Sequence, residues 1–65
     1  MQDVMAQALE VMRNPQDKNH HPAVMRLALT LGVSFYTIEH WRTGRRSIGA
    51  ATRERLEGIA RREHA

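Results

Sequence analysis

The segment SFYTIEHWRTGRR, residues 34–46, concentrates side chains that can do chemistry. Hydroxyls stand at Ser34, Tyr36, Thr37 and Thr43, an imidazole at His40, and guanidinium groups at Arg42, Arg45 and Arg46. The only Phe, Tyr and Trp of the protein fall within it, at 35, 36 and 41. Hydroxyl and imidazole groups both donate and accept hydrogen bonds, and guanidinium pairs in bidentate fashion with anionic oxygens. That set is suited to recognition rather than to bond breaking. There is no cysteine, and neither Ser34 nor Ser47 has an evident base with a second group to orient it, as a nucleophile requires. The histidines at 20, 21, 40 and 64 follow no familiar metal-ligand spacing. A chain of 65 residues also leaves little room for a substrate cleft. The reading is therefore of a protein that is not an enzyme, with no cofactor, no metal and no small-molecule ligand evident.

Charge is distributed unevenly. Residues 1–41 hold Arg13, Lys18 and Arg26 against Asp3, Glu10, Asp17 and Glu39; residues 42–65 hold seven arginines against Glu54, Glu57 and Glu63. A basic half beside a neutral-to-acidic half predicts an anionic partner approached from one side.

The elements that must position these groups read as four helices. Met1, Val4, Met5, Ala8, Leu9 and Met12 form one apolar stripe, read as core, that should stop near Arg13–Asn14 because Pro15 disfavours helix at the preceding residue. A polar loop leads to Pro22, which suits the first position of a second helix burying Val24, Leu27, Ala28 and Leu31. Gly32 ends that helix. Ser34 caps a third, and Val33 and Ile38 have the spacing of a hydrophobic staple. Ile38 and Trp41, three apart, point the same way on this helix, and Gly44 closes it. A fourth helix is expected from about Gly49 to Glu63, burying Leu56, Ile59 and Ala60, with Thr52 on the same face and Ile48 leading in. Arg53–Glu57 and Glu57–Arg61 are spaced as i,i+4 pairs. Arg61 and Arg62 read as solvated.

Length and composition bound the rest. The chain makes one small domain, 1–65, all-α, with neither disulfides nor a Cys-based zinc site to brace it. No apolar run is long enough for a membrane span. The N-terminal stretch has an acid where a signal peptide needs Lys or Arg, so a cytoplasmic location is expected.

The run VMRLALTLGVSFYTIEHWRTGRR, residues 24–46, resembles the helix-turn-helix of the Cro and phage-repressor (XRE-type) family. Leu27-Ala28, then Leu31-Gly32-Val33-Ser34, then Thr37-Ile38 and Trp41, then Gly44-Arg45-Arg46 match its apolar and turn positions. The resemblance implies a small four-helix bundle containing a lambda-repressor-like helix-turn-helix, in which Ala28 is small because the two helices cross there and Val33 plugs the corner. It implies a third helix lying in the major groove of double-stranded DNA. Carried onto this sequence, Ser34, Phe35, Tyr36 and His40 take base-reading positions, Phe35 offering apolar contact to a thymine methyl. Thr37, Arg42, Thr43, Arg45, Arg46 and Arg53 take phosphate-binding ones.

Two departures matter. Phe35 and Tyr36 stand where relatives often carry Gln, Asn or Arg, which shifts weight to His40 or to DNA shape. Val24 replaces a frequent phosphate anchor, leaving that contact missing or moved to Arg26.

A lone module this small contacts too few base pairs for useful specificity, so a homodimer on an inverted repeat is expected. Its dimer surface is left open between the first helix and the exposed side of the fourth. The family reading implies a repressor or autoregulator of a phage, plasmid or other mobile element, nucleoid-associated when bound to its operator. The rival expectation is a protein-interaction module, an antitoxin-like or assembly adaptor built on the same bundle.

Overall fold

A computed structural model describes residues 3–62. Four α-helices follow one another: α1 (Val4–Met12), α2 (His21–Leu31), α3 (Phe35–Arg42) and α4 (Ala50–Arg62). No strand occurs among the described residues. No helix among them is long and apolar enough to cross a membrane. The expectations placed on Met1, Glu63 and His64 lie outside the described residues.

Asp3 caps α1, its carboxylate accepting from the Met5 N–H at 3.0 Å. The helix ends at Met12, and Arg13 is already extended (φ −81°, ψ 137°), close to the boundary that Pro15 dictates. Asn14 to Asp17 form a turn closed by the Asp17 N–H on the Asn14 carbonyl at 3.0 Å. The Asp17 carboxylate accepts from the Asn14 N–H and pairs with Arg26 at 2.8 Å. Arg26 also donates to the Met12 carbonyl at 2.9 Å, so one guanidinium joins the end of α1, the loop and the middle of α2. Asp17 is held below the ordinary carboxylate range, first by the Arg26 hydrogen bond and then by the Asn14 backbone. Arg26 thus pairs within the fold; a phosphate contact moved to it was one of the two alternatives left by Val24.

Helix α2 opens one residue before Pro22, with the His21 N–H donating to Asn19 Oδ1 at 2.9 Å. At its other end Gly32 takes φ +72°. Gly32 N–H then reaches the Leu29 carbonyl (3.3 Å) and Val33 N–H the Ala28 carbonyl (3.0 Å), the paired bonds of a Schellman ending. Arg55, from α4, donates to the free carbonyls of Leu31 and Thr30 at 3.2 and 3.4 Å. A cation there complements the negative end of the helix dipole.

The core draws Met5 and Ala8 from α1, Val24, Leu27, Ala28 and Leu31 from α2, Ile38 from α3, and Leu56 and Ile59 from α4. Val33 and Ile48 pack half-buried at its edge and Thr52 is half-buried, while Ala60 is buried, as the periodicity requires. Helix α1 packs on α4 and α2; α3 packs chiefly on α2. Within α3 only Ile38 is buried, so this helix hangs on the bundle by a narrow apolar strip.

Two expectations are corrected. Trp41, read as a core ring, is half-buried against the rim of the core, because α3 ends at the edge of the bundle and a ring so large is seldom fully enclosed. The pairs Arg53–Glu57 and Glu57–Arg61 do not form among the described residues, consistent with the small gain of an ion pair in water.

Candidate nucleic-acid interface

Three residues, Gly32–Ser34, join α2 to α3. Ser34 is extended (φ −77°, ψ 157°), and its Oγ accepts from the Thr37 N–H at 3.1 Å, capping α3. The same oxygen shares a hydrogen bond with Thr37 Oγ1 at 2.9 Å. A partner bound here meets a pair of coupled hydroxyls rather than two independent ones. Ser34 is exposed and Thr37 half-buried.

Tyr36 is the prominent feature of the helix, 72% exposed, with no hydrogen bond on its hydroxyl among the described residues. Phe35 behaves otherwise. Expected to face outward, it is half-buried against the core, because a bare aromatic ring gains more from apolar neighbours than from water. Its ring lies 4.6 Å from that of His21, tilted by 35°, and meets the Tyr36 ring edge-on at 5.8 Å. His40 is half-buried, with no side-chain hydrogen bond among the described residues.

The C-terminal end of α3 repeats the ending of α2. Gly44 takes φ +81°, its N–H reaching the Trp41 carbonyl at 3.3 Å, and the Arg45 N–H closes on the His40 carbonyl at 2.8 Å. The Arg46 N–H shares that carbonyl at 3.2 Å. Two arginines are thereby pinned by their backbones to the last turn of α3 while their side chains stay exposed.

Partnering separates the cations. Among the described residues, the side chains of Arg45, Arg46 and Arg53 have neither ion-pair nor hydrogen-bond partner. Arg42, expected beside them as a phosphate ligand, pairs with Glu39 through Nε–Oε2 at 2.6 Å and Nη2–Oε1 at 3.1 Å. It also lines a cleft of about 350 Å³ floored by Met5 and Ala23, on the α1 side of the molecule. Thr43 spends its hydroxyl proton on the Glu39 carbonyl at 2.8 Å.

Glu39 and His21 escaped the sequence reading. The Glu39 carboxyl is lowered from its ordinary value, first by the Arg42 hydrogen bond, against a smaller opposing effect of burial. His20 Nε2 stands 3.8 Å from it. The i,i+3 spacing of Glu39 and Arg42 was a visible signal for the pair; the contact of His21 with Phe35 had none.

The helix thus offers an exposed phenol and coupled hydroxyls at one end and two free guanidinium groups at the other. Among the described residues no three His, Cys, Asp or Glu side chains come together to hold a metal ion. Comparisons with protein-family models, with curated proteins and with solved structures each find no match for the chain.

Proposed function

We propose that the protein is a sequence-specific regulator that binds double-stranded DNA, with α2, the Gly32 turn and α3 acting as a helix-turn-helix. In this reading α3 enters the major groove. Tyr36 and His40 meet base edges, with Ser34 and Thr37 at the groove entrance, and Arg45, Arg46 and Arg53 neutralise flanking phosphates. Phe35 supports Tyr36 and contributes at most an apolar edge. A module this small spans too few base pairs for useful specificity alone, so it acts as a homodimer on an inverted repeat, with half-sites about one helical turn apart. The resemblance to Cro and phage repressors makes repression, in a phage, plasmid or other mobile element, the natural output.

One observation carries the proposal: Arg45 and Arg46, held by their backbones at the end of α3, keep exposed guanidinium groups without protein partners among the described residues, whereas Arg26, Arg42 and Arg55 each have one. The test is titration of a labelled mixed-sequence duplex with the protein at about 50 mM salt, where phosphate contacts are strong. Saturable binding is expected; none at any protein concentration short of aggregation refutes the proposal.

A second reading has its own support. Leu29 is 79% and Met25 41% exposed, four residues apart on the outer face of α2. A protein-interaction module would use that face. Its contact would scarcely respond to salt, whereas DNA binding weakens steeply between about 50 and 200 mM.

A further inference from the structure

Of the two histidines before Pro22, one touches the proposed reading surface. His21 belongs to the first turn of α2, and its ring stacks on Phe35 at the first turn of α3. Phe35 in turn meets Tyr36 edge-on, which makes a ladder of three rings running from α2 to the most exposed side chain of α3. The His21 backbone is tied to Asn19 Oδ1, and Phe35 rests on the core. A tyrosine on an exposed helix surface otherwise exchanges among staggered rotamers, and ordering it on binding reduces affinity.

We infer that His21 is a positioning residue: by stacking on Phe35 it holds Tyr36 in one orientation before DNA arrives. This rests on the DNA-binding reading for its consequence, but not for its mechanism. Holding the Tyr36 Cα–Cβ torsion in one of its three staggered wells in advance corresponds to at most about 3-fold in affinity. The gain belongs to the duplex whose bases Tyr36 meets, because non-specific binding depends on phosphates.

The experiment uses wild type, His21→Ala and His21→Phe. In the free proteins, NMR couplings across the Tyr36 Cα–Cβ bond should report one rotamer in wild type, averaging in His21→Ala, and one rotamer again in His21→Phe. On a preferred duplex, His21→Ala should bind roughly 2- to 3-fold more weakly with an unchanged salt slope. His21→Phe should restore the affinity, and His21→Ala should add nothing in a Tyr36→Ala background. Averaging already present in wild type, or a fixed Tyr36 in His21→Ala, overturns the inference. So does a loss that His21→Phe fails to restore and that lowers the salt slope by about one, since His21 would then be touching phosphate itself. If wild type binds no duplex, the DNA reading falls, while the rotamer measurement still decides whether His21 holds Tyr36.

Discussion

Replacing Arg45 and Arg46 together by alanine isolates the electrostatic part of the proposed interface. Both side chains are exposed and without partners among the described residues, so their removal costs the fold nothing beyond solvated surface; their backbone bonds to the His40 carbonyl remain. Removing one arginine from a phosphate lowers the slope of log K against log salt by about 0.9, which makes about 1.8 per protomer and about 3.6 for a dimer. Between about 50 and 200 mM salt, wild type should therefore lose roughly tenfold more affinity per protomer than the variant, and on the order of a hundredfold more as a dimer. Fluorescence anisotropy with one labelled duplex over that range gives both slopes. Arg42→Ala is the internal control. Its guanidinium is already spent on Glu39, so its slope should fall by clearly less than about 0.9 per protomer. Equal slopes for wild type and the double variant would refute the assignment. A fall for Arg42→Ala as large as for one free arginine would refute the distinction between free and committed cations.

Other consequences concern the scaffold. Gly32→Ala should lower stability by about 1–2 kcal/mol, because alanine must take the left-handed conformation there. A Cβ at that position meets no atom within 4 Å, so the cost is conformational alone. Gly58→Ala, in the body of α4 and equally uncrowded, should stabilise by roughly 0.5–1 kcal/mol, and thermal melts of the two should move in opposite directions. Ile38→Ala should cost about 2–5 kcal/mol, a large share of the roughly 3–10 kcal/mol total typical of a chain this long. Its denaturant midpoint should fall well below that of Ile38→Val. Asp17 and Glu39 are both lowered from their ordinary values of 3.8 and 4.5 by arginine hydrogen bonds. Their contribution to stability is accordingly whole above those values and disappears as pH falls through the lowered ones. Asp17→Asn should flatten the acid limb of a denaturation curve taken against pH, and an unchanged limb would contradict the Arg26 pairing.

Local signals carried most of the architecture. Ser34 was readable as a cap and Gly32 as a helix end because each acts through bonds to residues three to five positions away, and the structure has both. The apolar face of α2 was readable for the same reason, since a helical period repeats within a single segment. What escaped depends on which segments meet. Arg26 reaches the Met12 carbonyl and Arg55 the Leu31 carbonyl, contacts that no local pattern announces. The same limit governs the site. Tyr36 was legible as exposed, whereas the turn of Phe35 toward the bundle needed the start of α2 to arrive beside it. The pairing of Arg42 with Glu39, three residues earlier, was legible from their spacing, whereas nothing at that spacing faces Arg45.

Selection from a pool of randomised duplexes asks the central question most directly, since nothing about the sequence bound is assumed. A dimer reading DNA through α3 should enrich an inverted repeat whose half-sites lie about 10 base pairs apart, centre to centre. Replacing Tyr36 should change the recovered half-site, and replacing Arg45 with Arg46 by alanine should leave that half-site intact while weakening every duplex alike. A pool that emerges without enrichment, under salt conditions where the protein retains the duplexes, would contradict sequence-specific binding.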